Sequence, residues 1–218
     1  VEENIDKAMD YYQRAAKLNH TGALYALGLI YEENSDYHDD YRAIEYYQKG
    51  AKLNDARSMY RLALYLDEGE FIERDYQQAY SYLQKAAKSN YGPAQNMLGV
   101  YLEDGLGCKK DANLAFNMYL SAANSDYYAP AIFNLGRCYF YGIATTVDKQ
   151  TAFEMFFKAA NLDYPEANFM LGYMYSYGDG IAKDMVKAKE YLKKAANSGL
   201  KEASEELEKI YQKTKGDE

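Results

Sequence analysis

No tryptophan occurs in the 218 residues, and only two histidines, two cysteines and three prolines do. Each scarcity removes a class of function or fold. His20 and His38 stand in neither an HxxxH nor an HxxE pattern, so neither has a second ligand or a base at metal-binding or catalytic spacing. The expectation is a chain that is not an enzyme, with no catalytic residue, no metal and no cofactor. Cys108 and Cys138 form no CxxC pair and read as two unpaired thiols. With so few prolines, scattered glycines and no Ser/Gly-rich tract, no linker divides the chain, and one continuous array is expected. No apolar run approaches the roughly 20 residues needed to span a bilayer. The most apolar stretch, Gly22 to Tyr31, carries helical core periodicity. Direct membrane insertion by this segment is therefore not expected. Basic residues number 25 against 33 acidic ones, giving a net charge of −8. That balance opposes nucleic-acid binding, which needs a basic stripe to displace counterions from phosphates.

What the chain has is repetition. Ala15-Ala16, Gly50-Ala51, Ala86-Ala87, Ala122-Ala123, Ala159-Ala160 and Ala195-Ala196 recur at steps of 35, 36, 36, 37 and 36 residues. Seven residues before each pair stands another alanine, at 8, 43, 79, 115, 152 and 188, and a bulky residue lies between: Tyr12, Tyr47, Leu83, Tyr119, Phe156 or Leu192. Positions i, i+4 and i+7 form one stripe of a helix. A second helix carries Leu27-Gly28, Leu62-Ala63, Leu98-Gly99, Leu135-Gly136 and Leu171-Gly172, with Tyr31, Leu66, Leu102, Tyr139 or Tyr175 three residues later. Glycine inside a helix costs about 1 kcal/mol relative to alanine, so its recurrence at one register predicts close helix packing there. Asn34, Gly69, Gly105, Gly142 and Gly178 follow as expected left-handed helix ends, and Asp75, Asp111, Asp148 and Asp184 as caps of the next helix. Gly105-Leu106-Gly107 and Gly178-Asp179-Gly180 lack the strand-to-helix setting of a phosphate loop and recur at this turn, so they read as turns.

The pattern Ala-x3-Leu-Gly-x2-Tyr-x2-Gly, a short loop, Asp, then Ala-x3-Tyr and Ala-Ala resembles the Sel-1-like repeat over essentially the whole chain. Tetratricopeptide repeats share the Leu-Gly-x2-Tyr helix, but their unit of about 34 residues leaves only about nine between that Tyr and the next alanine. Here Tyr139 to Ala152 and Tyr175 to Ala188 span 13, and Tyr31 to Ala43 spans 12. The resemblance implies an all-α fold, a right-handed superhelical solenoid of antiparallel helix pairs with about eleven helices. In this frame residues 1–19 are the second helix of an interrupted unit, 20–53, 54–89, 90–125, 126–162 and 163–198 are helix pairs, and 199–218 are a capping helix. The polar backing of Leu207 and Tyr211 suits a solenoid end. Residues 1–8 match the entry into a second helix, so the frame predicts at least one further helix upstream. Departures from the pattern are Asn34 and Ala63 for glycine, and Glu208 at the packing-glycine position.

The resemblance further implies that the Leu-Gly helices line the concave face, where a protein or peptide partner would lie. Their stripe outside the core reads Tyr25, Leu29, Glu32 and Glu33; Tyr60, Asp67 and Glu68; Asn96, Glu103 and Asp104; Phe133, Arg137, Phe140 and Tyr141; Phe169, Tyr173 and Tyr177. The first half is acidic and the second aromatic. Paired acids in a helix's last turn oppose the dipole by about 0.3–1 kcal/mol each. They read either as solvated loop edges or as a ladder for a Lys/Arg-rich segment. The aromatics read either as packing, as expected for Tyr11, Tyr12, Tyr46, Tyr47, Tyr139 and Tyr175, or as an apolar interaction surface. A partner with basic and apolar segments would suit both halves. The tetratricopeptide carboxylate clamp needs Lys and Asn on this stripe, and only Asn96 and Arg137 occur. Proteins of this family act as adaptors in complex assembly, including endoplasmic-reticulum quality control, bacterial signalling or secretion, and effectors of intracellular bacteria. The expected function is a non-catalytic adaptor or scaffold. The alternative is a regulatory or substrate-docking domain of a larger protein whose catalytic part lies elsewhere. Secreted members carry a cysteine pair per repeat; its absence here favours the cytoplasm. The start inside a repeat leaves secretory, periplasmic or host-delivered settings open, and Asn19-His20-Thr21 is a sequon that would matter there.

Overall fold

The computed structural model describes residues 5–126 and 128–216. They form twelve α-helices and no strand, falling into two compact units. The unit up to Asp111 holds α1 (Ile5–Ala16), α2 (Thr21–Glu33), α3 (Asp40–Lys52), α4 (Ala56–Glu68), α5 (Tyr76–Ala87) and α6 (Gly92–Asp104). The unit from Ala112 holds α7 (Ala112–Asp126), α8 (Ala129–Tyr141), α9 (Lys149–Ala160), α10 (Pro165–Tyr177), α11 (Met185–Asn197) and α12 (Lys201–Gly216). Twelve helices stand against about eleven expected, and twelve is the number to which the frame's five pairs and two end helices add.

Within each unit every helix packs on its chain neighbours, most extensively α2 on α3, α4 on α5, α8 on α9 and α10 on α11. The glycines of the first helices make that approach possible. A Cβ on Gly28 would lie 2.3 Å from Tyr47 Cε1, one on Gly136 2.6 Å from Phe156 Cε1, and one on Gly172 2.6 Å from Leu192 Cγ. Those three large side chains are fully buried, as are the alanines at 43, 152 and 188. Large residues of one helix thus fill the space left by the missing side chains of the other. Where alanine replaces the glycine, at Ala63, the matching register of the second helix carries Leu83 rather than a ring.

The connections repeat as strictly as the core. Gly69, Gly105, Gly142 and Gly178 end their helices with φ between 68° and 75°, the left-handed region that glycine enters without a Cβ penalty. Asn34 does not share this geometry: its φ is −90° and ψ 121°. Its side-chain oxygen accepts from the Asp36 N–H at 3.0 Å, so a side-chain turn ends α2 instead. In all five of these loops the aspartate N–H reaches back to the helix it follows: Asp39 to Tyr31 O, Asp75 to Leu66 O, Asp111 to Leu102 O, Asp148 to Tyr139 O and Asp184 to Tyr175 O, at 2.8–3.1 Å. The carboxylates of Asp39, Asp75, Asp148 and Asp184 then cap α3, α5, α9 and α11. The returning turns hold Asn19, Asn54, Asn90, Asp163 and Gly199 at positive φ. The sequence frame did not single out these positions.

Tyr11 and Tyr12 depart from the expected packing, at 66% and 39% exposed. Residues in the Tyr12 register elsewhere are covered by the first helix of their own pair, whereas α1 packs chiefly on α2. Tyr47 is buried as expected, and Tyr46 and Tyr175 stack on Tyr31 and Tyr191 at 5.7 and 5.8 Å. At the other end Ala203, Leu207 and Ile210 of α12 pack with Leu192 and Ala195, while Glu208 is exposed at the glycine register.

Substituting Gly136→Ala should lower stability by about 1–2 kcal/mol, because overpacking outweighs the gain in helix propensity. Urea denaturation midpoints check this. Adding Phe156→Leu should recover part of the loss by opening space at the same contact, giving a favourable coupling in the double-mutant cycle. A Gly136→Ala chain as stable as the parent would contradict the close-packing account.

Candidate functional site

The first helix of each pair carries the stripe expected to meet a partner, and part of its acidic half is engaged within the protein. Glu32, at the end of α2, accepts from the buried Tyr47 hydroxyl and from Arg61 Nη1 at 3.2 Å; Arg61 Nη2 reaches Glu33 at 3.1 Å. Asp67 accepts from the buried Tyr101 hydroxyl. Two of the recurrent last-turn acids, Glu32 and Asp67, are thus acceptors for tyrosines rooted in the core. That contact offsets their unfavourable position on the helix dipole. Glu68 and Asp104 are exposed, and Asn96 and Glu103 half-buried. Tyr25 lies under the Arg57 guanidinium, 4.6 Å from its centroid, and Tyr60 meets the Tyr91 ring at 5.7 Å. Leu29 is half-buried.

In the unit from Ala112 the structure brings four predicted residues together. Phe133, Arg137 and Tyr141 of α8 and Phe169 of α10 line a cavity of about 310 Å³, joined by Glu166, Met170, Leu200 and Glu202. Tyr173 and Tyr177 sit ring to ring at 4.7 Å, and Tyr141 and Tyr177 are 59% and 53% exposed. Phe140 is a correction: it is 5% exposed, packed against Phe156 and covered by Lys149, whose Nζ lies 3.2 Å from the ring centroid. Lys149 is held there by Asp179 at 3.0 Å. A second cavity, about 580 Å³, is lined by Phe157, Asn161, Asp163, Asn168 and Lys194 among others.

Sequence reasoning missed Arg61, Glu166 and Glu202. Arg57 and Arg61 stand four apart on α4, one repeat after the acidic pair of α2, which is the signal for Arg61. Glu166 and Glu202 each lie five residues before their core leucines, Leu171 and Leu207, one turn earlier than the stripe that was read.

Both histidines serve structure. His20 Nδ1 accepts from the Ala23 N–H at 3.2 Å as the α2 cap. His38 lies 2.9 Å from the Glu32 carbonyl and 2.9 Å from Asp40, whose other oxygen accepts from Tyr65 at 2.7 Å. Among the described residues no cluster of three or more His, Cys, Asp or Glu is placed to hold a metal, and no helix is long and apolar enough to cross a membrane.

These helix pairs define a repeat protein of the helical solenoid class. The Sel1 repeat profile matches residues 1–20, 21–55, 56–91, 92–127, 129–164 and 165–200. The chain belongs to the Sel1 repeat family. Its fold is similar to a Sel1 repeat protein from Oxalobacter formigenes, at 28% identity over 91% of this chain and 81% of that one, with a TM-score of 0.82. A Sel1 repeat protein from Klebsiella pneumoniae matches at 25% identity over 93% and 99%, with a TM-score of 0.62. An immunity protein from Pseudomonas aeruginosa, 22% identical over 90% and 75% with a TM-score of 0.62, shares the fold. No curated protein matches the chain in sequence. Sel1 repeat proteins are generally protein–protein interaction scaffolds and are typically non-catalytic, and the fold points to protein partners.

Burial, then the bond to its carboxylate, drives the phenols of Tyr47, Tyr65 and Tyr101 well above the ordinary value of 10.0. Burial and the charge of Glu166 push Tyr164 up to about 12. A phenol harder to ionise in the folded than in the unfolded chain contributes stability that is full below the unfolded value and lost as pH climbs through the folded one. Urea midpoints should therefore fall between about pH 9 and about pH 11, and less steeply in Tyr101→Phe. Equal slopes for variant and parent would contradict this assignment.

Proposed function

We propose that this protein is a non-catalytic scaffold that captures a protein segment along the face of its first helices and so helps assemble a complex. The observation that carries the reading is the cavity lined by Phe133, Arg137, Tyr141 and Phe169, flanked by the Tyr173–Tyr177 pair. Half-exposed rings around a concavity supply amphipathic anchors of low conformational entropy, the residue type that dominates binding energy at protein interfaces. In the unit from Ala112 these rings offer an amphipathic surface to a partner; in the unit up to Asp111 the acids of α2, α4 and α6 offer negative charge to basic groups. With Glu32 and Asp67 bonded inside the protein and Glu33 shared with Arg61, the acids left most available for steering are the exposed Glu68 and Asp104. Attraction of this kind raises association rates and fades with salt.

Affinity capture with the full chain tests the proposal. Tyr141→Ser with Tyr173→Ser should release the partner at low and moderate salt alike. Glu68→Lys and Asp104→Lys together should weaken capture at low salt and matter little at moderate salt. Retention of every partner by both folded variants would move binding to the second-helix face or the loops.

A further inference from the structure

The cavity beneath Phe133 and Phe169 holds charge as well as apolar surface. Glu166 and Glu202 occupy the same register of successive repeats, 36 residues apart in the sequence, each in the first turn of its helix. There the dipole favours the ionised carboxylate. Oε2 of Glu166 is buried and accepts no hydrogen bond among the described residues. A buried carboxylate oxygen without a donor is unfavourable until one is supplied. The one guanidinium on the wall, Arg137, donates Nη1 to Asn134 Oδ1 at 3.1 Å, and two carboxylates against one cation leave the cavity net negative. Its remaining walls are Phe133, Phe169, Met170 and Leu200. At about 310 Å³ it stands at the small end of ligand sites, the size for a side chain rather than a large molecule.

Apolar walls lined also by Glu166 and Glu202, the former with one oxygen that accepts no hydrogen bond among the described residues, complement a long aliphatic stem with a cationic head. We infer that this cavity receives a lysine or arginine side chain of the partner segment, with its stem against Phe133, Phe169 and Met170 and its head at Glu166. The inference rests on the reading of the first-helix face as the protein-binding surface and names what that surface recognises at this point. Glu202 supplies the second carboxylate, and the aromatic faces add a cation–π component.

Met170 lines the cavity, so its methyl group reports occupancy. In the full chain carrying ¹³C-methyl methionine, N-acetyl-Leu-Arg-Leu-amide should shift the Met170 resonance saturably. The peptide with neutral citrulline in place of arginine should bind about tenfold more weakly. Glu166→Gln should weaken the arginine peptide by about tenfold and leave the citrulline peptide unchanged, whereas Glu190→Gln on α11 should alter neither. Glu202→Gln serves as the second variant should Glu166→Gln fail to fold, with a smaller loss in the same direction. A Met170 resonance that ignores the arginine peptide, responds equally to citrulline, or is unaffected by both glutamine variants overturns the inference. Those outcomes leave the scaffold reading intact as long as the Tyr141/Tyr173 variant still releases captured protein; only retention by that variant removes the scaffold reading as well.

Discussion

Two helices can close around a buried ring only where one of them presents no Cβ, and this contact sets the rest of the array. Gly28 against Tyr47 and Gly136 against Phe156 repeat this geometry, and Gly172 gives the aliphatic Leu192 the same close approach. An interior glycine costs about 1 kcal/mol. Fully burying a large side chain contributes about 1.5–3 kcal/mol, so the exchange is favourable at each pair. Once the pair is closed, the loop between its helices has little freedom. The aspartate before the second helix also returns its N–H to the first, at the Tyr or Leu three residues after the glycine register.

The same constraint decides which groups are left for a partner. Tyrosines rooted between the helices carry their hydroxyls outward, and Tyr47 and Tyr101 end on Glu32 and Asp67. Acids that look free in the sequence are therefore partly consumed by the core. Arg61 further offsets Glu32 and Glu33. In the other unit the rings stay open around a cavity, and the first turns of α10 and α12 place two glutamates at its edge. Packing requirements and the proposed recognition surface thus draw on one set of aromatic side chains.

Much of the fold was legible because the repeat frame reports small and large residues at fixed spacing, and both ends of each helix pair carry recognisable residue types. Asn34 failed as a left-handed end because asparagine has a side-chain alternative, the turn to Asp36, that glycine lacks. The left-handed positions at Asn19, Asn54, Asn90 and Asp163 were present at the same spacing but not distinguished from ordinary polar loop residues. The candidate face was less legible. Periodicity places a residue on a stripe without saying whether a neighbour covers it, which is how Phe140 came to be counted as surface while Lys149 and Asp179 close over it. Arg61, Glu166 and Glu202 act across helices about one repeat apart, and a single-helix stripe does not contain that information.

The central claim, that partners bind the first-helix face, is tested most directly by site-specific photocrosslinking in the full chain. A benzophenone amino acid at Leu29 or Tyr173, both on that face, should give protein adducts on irradiation. The same probe at exposed Lys193 of α11 should give few. Adducts concentrated at Lys193, or equal at all three positions, would contradict the account.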